Sequence, residues 1–238
     1  MQGPFIYNLY ENVFNSSPSH PYEEKIEALR DTLKSSTQYI STGHFGAGSQ
    51  VNPNTRRKVS SIAKYGLTKK KYSLILSKLI DYLEATHLVE LGTSLGINTL
   101  YMAKGEMVNV STFEGSEALL SIARDNFQHM GKHNISLIPG DIDETLPRYL
   151  EQAKLVDLAF VDANHTYKST LGYFNILLTH SHHNTCLIFD DIYWSEEMSK
   201  AWQAIHQDPR VTLSIDIYQM GLVFINPALS KQHYTLDI

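Results

Sequence analysis

The chain has one cysteine in 238 residues, Cys186, so it cannot form an intrachain disulfide. Cys186 sits in the apolar run TCLIFDD, where a small buried core residue is expected. No apolar stretch approaches the ~20 residues that a bilayer-crossing helix needs, and no membrane span is expected. The opening MQGPFIYNLYENVF lacks a basic segment followed by an apolar one. No secretion signal is expected there, and the cytoplasm is the default location. Positive charge is not in excess: 20 Lys and Arg stand against 25 Asp and Glu, a formal net charge of −5. That balance speaks against a generic nucleic-acid binder, which carries a basic face. Internal repeats and low-complexity tracts are also missing.

The length and a 42% hydrophobic content suffice for one sizeable α/β domain with a small appendage. Residues 1–20 read as an irregular, aromatic arm that could pack on a second subunit as a homodimer contact. YEEKIEALRDTLKSS places Ile26, Leu29 and Leu33 at helical spacing. TGHFGAGSQVNPNTRRK is a Gly- and Asn-rich loop; it reads either as an ordered surface loop with a basic helix start or as a segment that shapes the acceptor site, with Arg56 and Arg57 meeting an anionic substrate. KVSSIAKYGL and KKYSLILSKLIDYLEA read as two more helices. From His87 the texture changes. HLVELG, NVSTFEG, NISLIPG, VDLAFVD and TCLIFDD are strand candidates, each followed by a helical stretch. Five β-then-α units imply a parallel sheet with helices on both faces. The end breaks the rhythm: RVTLSIDIYQ and GLVFIN are separated too briefly for a crossover helix, so they must run antiparallel.

Ligands of open α/β sheets bind at the carboxyl ends of the strands. Acids stand there repeatedly: Glu90, Glu114, Asp141, Asp162, then Asp190 and Asp191. Such a rim suits hydroxyls, amines or a cation, although helix capping accounts for some members. The first turn reads Glu90-x-Gly92-x-x-x-Gly96. It is neither the glycine fingerprint of dinucleotide binding nor a phosphate loop. An acid beside this turn repels a pyrophosphate and attracts a sulfonium or an amino group. Glu114, 22 positions after Gly92, is placed to take both hydroxyls of a ribose, a spacing shared with NAD sites.

VELGTSLGINTLYMA, VSTFEGSEALLSIARDNF, IPGDIDETLP, VDLAFVDANHTY and CLIFDDIYWSEEM, in this order, resemble the motifs of class I S-adenosylmethionine-dependent methyltransferases. The group most similar is that of the catechol and caffeoyl-CoA O-methyltransferases, and the resemblance covers about residues 60–226. It implies a Rossmann-like, seven-stranded, mostly parallel sheet with a C-terminal antiparallel hairpin, preceded by N-terminal helices. Residues 1–60 would form an arm and cap, and residues 61–238 the methyltransferase domain. Glu90, Gly92, Ser94 and Gly96 would surround the methionine part of S-adenosylmethionine. Glu114 would bind the ribose, with Gly115 and Ser116 beside the adenosine. Asp141 and Ile142 would hold the adenine edge, and Asp162 would lie near the sulfonium. AKYGLTKKK would form a lid.

The resemblance also raises a metal site. The matching positions are Asp162, Asp190 and Asp191, which could hold Mg2+ or another divalent cation. An asparagine of the metal-dependent relatives is replaced here by Asp191, and their lysine base by His165. Asp162 and His165 are the expected catalytic residues, His165 as general base. Tyr167 and Trp194 are candidates for the acceptor pocket or for plain packing. HSHH, with His180, His182 and His183, reads as a solvated turn. The expected activity is O-methylation of a small molecule. A non-catalytic module that keeps the pocket is the alternative; an NAD-linked oxidoreductase is disfavoured by the glycine spacing and the hairpin.

Overall fold

The computed structural model describes residues 3–16, 20–42 and 56–238. Helix α1 (Gly3–Leu9) runs into a π-helical turn, Tyr10–Phe14. Next come α2 (Glu23–Lys34), a small antiparallel hairpin of β1 (Tyr39–Ser41) and β2 (Arg56–Lys58), α3 (Val59–Tyr65) and α4 (Lys70–Tyr82). The alternating region follows: β3 (His87–Leu91), α5 (Ile97–Met102), β4 (Asn109–Glu114), α6 (Glu117–His129), β5 (Ile135–Pro139), α7 (Ile142–Leu150), β6 (Val156–Val161), α8 (Tyr167–Thr179), β7 (Ser181–Asp190) and α9 (Glu196–Gln207). The chain ends with β8 (Leu213–Asp216), β9 (Met220–Phe224) and β10 (Gln232–Thr235).

The main sheet has the order β10-β8-β9-β7-β6-β3-β4-β5. β3 to β7 run parallel to one another, and β9 runs antiparallel to both β7 and β8. The antiparallel hairpin is therefore as the brief separation of the two runs required, with only Ile217, Tyr218 and Gln219 between β8 and β9. The sheet has eight strands, one more than the seven expected. The addition is β10, which pairs parallel with β8 at the edge. Its sequence, QHYT, is polar and largely exposed, so it has no apolar run to announce it.

Helices cover both faces of this sheet, so strand residues must be apolar on both sides. Along β3, Leu88 packs into one core with α1 and α4, while Val89 and Leu91 pack into the other with α7 and α8. β6 alternates the same way: Leu158 and Phe160 join the first core, Ala159 and Val161 the second. A third core joins α2, α3, α5 and α6 around Leu95 and Tyr101.

The arm expected to be irregular is helical. Leu9 and Val13 are fully buried against Leu76 and Leu79 of α4. Phe5 meets Phe224 edge-on, with ring centroids 5.5 Å apart. Its apolar stripe is thus spent within its own chain. HSHH is also no turn: β7 begins at Ser181, and His182 Nε2 lies 2.8 Å from Asp157 Oδ1. Among the described residues, no helix is long and apolar enough to cross a membrane.

Candidate functional site

β3 and β6 are adjacent in the sheet, and strands continue outward from them in opposite directions. Such a reversal opens a crevice at the strands' carboxyl ends. There Gly92 turns the chain with φ +98°, and a Cβ at this position would lie 2.0 Å from the Asp162 carbonyl oxygen. Only glycine allows β3 and β6 to end so close together. Gly96 has φ +78°, and a Cβ there would strike the Phe127 ring at 2.5 Å. Four non-glycine residues of this region, Ser94, Asn164, His165 and Asp191, also hold positive φ. Such strain concentrates at functional sites.

The crevice contains a cavity of about 210 Å³. It is lined by Gly92, Ser94, Glu114, Gly115 and Leu119 from the β3 and β4 side, and by Asp141, Ile142, Asp162, Ala163, Asn164 and His165 from the segments after β5 and β6. Arg57 and Gly66 reach it from the N-terminal segment. The backbone N–H of Ser94 donates to one Glu114 oxygen and that of Ser116 to the other, both at 2.9 Å. The carboxylate is thereby fixed in place. Burial raises its pKa, and these N–H donors hold that rise back. Asp141 caps α7 by accepting from the Asp143 N–H at 3.0 Å. Ser116 caps α6.

Several expected site residues stand behind the wall instead of on it. Glu90 is fully buried, with Asn98, Thr99 and Thr112 donating to its carboxylate. Burial pushes its pKa up to about 7, against the pull of those donors. Gly96 and Ser116 do not line the cavity, nor do Asp190 and Asp191. Asp190 is buried, accepting from the Asp191 N–H at 2.9 Å, from Gln219 Nε2 at 3.1 Å and from Thr68 Oγ1 at 3.4 Å. Burial, and then the nearby charges of Asp162 and Asp191, raise its pKa. Thr68 belongs to the expected lid, and its carbonyl accepts from buried Arg30 at 3.1 Å. Residues 43–55, most of the loop read as shaping the acceptor site, lie outside the described residues.

His165 also lines the cavity. Its Nε2 is 3.2 Å from Asp162 Oδ1 and 3.5 Å from Asp191 Oδ2, within reach of both and aligned for a hydrogen bond with neither. Burial alone would lower its pKa; attraction to the two carboxylates outweighs this and raises it to about 10. One ligand atom from each of Asp162, His165 and Asp191 falls within 4.8 Å of the others. The Trp194 ring meets His165 edge-on at 5.6 Å. Sequence reasoning missed Leu119 and Asn164 on the walls. The one signal for them is position, since each follows directly on a strand-end acid segment.

Residues 89–192 match the family model described as a methyltransferase domain. The fold agrees along nearly the whole chain. An O-methyltransferase from Bacillus cereus, solved in complex with S-adenosylhomocysteine, is 17% identical with a TM-score of 0.60, covering 93% of this chain and 97% of that one. A Podospora anserina methyltransferase bound to the same nucleoside has 15% identity and a TM-score of 0.65, covering 94% of each chain. A Staphylococcus aureus protein, provisionally assigned as a caffeoyl-CoA O-methyltransferase, has 14% identity and a TM-score of 0.66, covering 94% of this chain and 98% of that one. A search of curated proteins finds no sequence match. Residues 89–192 thus match a methyltransferase domain, and the architecture around them is the fold shared by these solved methyltransferases.

Proposed function

We propose that the chain moves the methyl group of S-adenosylmethionine to a hydroxyl oxygen of a small molecule. The observation that carries this reading is the cavity itself. Glycine backbone and a rim of carboxylates meet where the sheet order reverses, with the Glu114 carboxylate held by two backbone N–H groups. Its remaining lone pairs suit the two ribose hydroxyls. Gly92, Ser94 and Asp162 would flank the methionine part, Gly115 the adenosine, and Asp141 with Ile142 the adenine edge. Glu90, Gly96 and Ser116 support this wall from behind.

When bound, S-adenosylmethionine supplies a methyl group on a positively charged sulfur, which leaves as a neutral thioether. The protein's work is to align and desolvate the partners. Asp162 takes the hydroxyl proton as the oxygen attacks. His165, held protonated by two carboxylates, donates a hydrogen bond to that oxygen and stabilises its developing charge. Trp194 and Tyr167, both exposed beside this point, give the acceptor an aromatic face.

A divalent cation also fits. The orphaned Nε2 of His165 is aimed between two carboxylates. With the imidazole deprotonated, Asp162, His165 and Asp191 would hold the ion, with Asp190 behind them, and His165 would then no longer serve as the hydrogen-bond donor. It would supply a Lewis acid that lowers the pKa of a bound hydroxyl. A nitrogen in the set suits Mn2+ or Zn2+ as well as Mg2+.

We place residues 1–60 as arm and cap and residues 61–238 as the transferase domain. A cytoplasmic protein without nucleic-acid partners accords with the charge balance. A homodimer would use surface other than the buried stripe of α1. Calorimetry with S-adenosylmethionine and with NAD tests the central reading. Binding of the first, with formation of S-adenosylhomocysteine in a screen of hydroxylated acceptors, is expected. Binding of NAD alone would refute it.

A further inference from the structure

Arg57 stands apart from the other charged groups at the site. β2 pairs with β1 so that Arg57 lies directly opposite Ile40. Directly opposite residues of an antiparallel pair project to the same face. Ile40 is buried in the core with Leu95 and Ile97, so this is the inner face of the hairpin. Arg56 projects the other way, and its guanidinium lies over the Tyr39 ring at 5.0 Å. Arg57 instead reaches the cavity. It is the one lysine or arginine among the described residues of that wall, facing Glu114, Asp141 and Asp162. None of these acids forms an ion pair with it.

An accessible guanidinium with no ion-pair partner among the described residues, sharing a cavity with three acids, calls for an anionic group on the ligand. The donor nucleoside carries three charges. The sulfonium and the α-ammonium suit the acidic rim. The α-carboxylate is repelled by that rim, and the other cation of the cavity among the described residues, His165, is already matched by Asp162 and Asp191. An anionic acceptor is the competing source. However, Arg57 shares its cavity with Gly92, Ser94 and Gly115, whereas the exposed aromatic residues beside His165, Tyr167 and Trp194, do not line it.

Resting on the methyltransferase reading above, we propose that Arg57 binds the α-carboxylate of S-adenosylmethionine. The cap hairpin thereby senses the amino-acid end of the donor. The bond would be a charge-assisted pair between planar groups, for which arginine is better shaped than lysine.

Calorimetry of wild type and Arg57→Gln with two probes tests this: S-adenosylmethionine and its decarboxylated form, which lacks only the carboxylate. Equal thermal unfolding midpoints confirm that both proteins are folded. Arg57→Gln should weaken S-adenosylmethionine binding about tenfold or more and leave the decarboxylated form within about twofold. Arg57→Lys should recover part of the loss. Equal losses with both probes overturn the assignment. Unchanged donor affinity together with a raised KM for an anionic acceptor transfers Arg57 to the acceptor and also overturns it. Wild-type protein that binds neither probe refutes the methyltransferase reading itself, an outcome distinct from an Arg57 variant that binds both like wild type.

Discussion

Replacing Glu90 by Gln tests the physics of the wall behind the cavity. Glu90 has no solvent exposure, and three side chains donate to it. Burial raises its pKa from 4.5 to about 7. Folding therefore favours the protonated carboxyl. The stability this gives is complete below about pH 4.5 and is lost as pH rises through about 7. At about 1.4 kcal/mol per pH unit, the gap amounts to about 3 kcal/mol. Glutamine keeps the shape and does not titrate. Urea unfolding of wild type and Glu90→Gln, in half-unit steps from about pH 4.5 to about 8, reads the effect as a difference in which other titrations cancel. That difference should move by about 3 kcal/mol in favour of the variant across the window and then level off. A difference flat to within about 1 kcal/mol would refute the claim that burial holds the proton on Glu90. The variant should also keep its affinity for S-adenosylmethionine, since the side chain does not reach the cavity. A tenfold loss would place the carboxylate on the ligand.

Glu114→Gln should weaken S-adenosylmethionine binding by about 1–3 kcal/mol in the same calorimetry, because one ribose acceptor becomes a donor. Gly96→Ala should lower the unfolding free energy by about 2–4 kcal/mol, combining a left-handed backbone with a clash against the Phe127 ring. For Asp157, burial alone would raise the pKa, but the N–H groups of Thr86 and His87, with His182, outweigh it and lower the pKa. Its contribution is thus present above pH 3.8 and lost as pH falls through the folded-state pKa. Asp157→Asn should therefore be less stable than wild type at pH 7, by about 1–3 kcal/mol, with the two converging in acid.

The alternation of strand and helix was readable because burial on both faces leaves an apolar run wherever a strand lies. The same logic explains the misses. β10 is a polar edge held by pairing with β8, and pairing leaves no mark on composition. The first turns of β7, SHHN, are polar where the strand extends past its core partners; their order comes from His182 meeting Asp157 across the sheet. α1 was hidden by its aromatic and asparagine content, although Phe5, Leu9 and Val13 keep helical spacing, and α4 supplies the surface that orders it.

Spacing also put every acid at the correct rim without revealing what each one faces. Glu90 and Glu114 both stand at a strand end, yet one is sealed under Asn98, Thr99 and Thr112 and the other lies open to the cavity. A sequence-level signal existed: Asn98, Thr99 and Thr112 are polar residues in elements that are otherwise apolar, and such residues need a partner inside. His165 illustrates the reverse case. Three positions after Asp162 it reads as a base near neutral pH, and that reading neglects Asp191, 26 residues further along. Two carboxylates at 3.2 and 3.5 Å favour the protonated ring and raise its pKa to about 10, despite the opposing effect of burial. Under the proposed mechanism the proton therefore goes to Asp162, and His165 faces the attacking oxygen as a hydrogen-bond donor. The residue types at the rim were thus legible from strand ends, but their chemical roles are set by neighbours that only the folded sheet brings together.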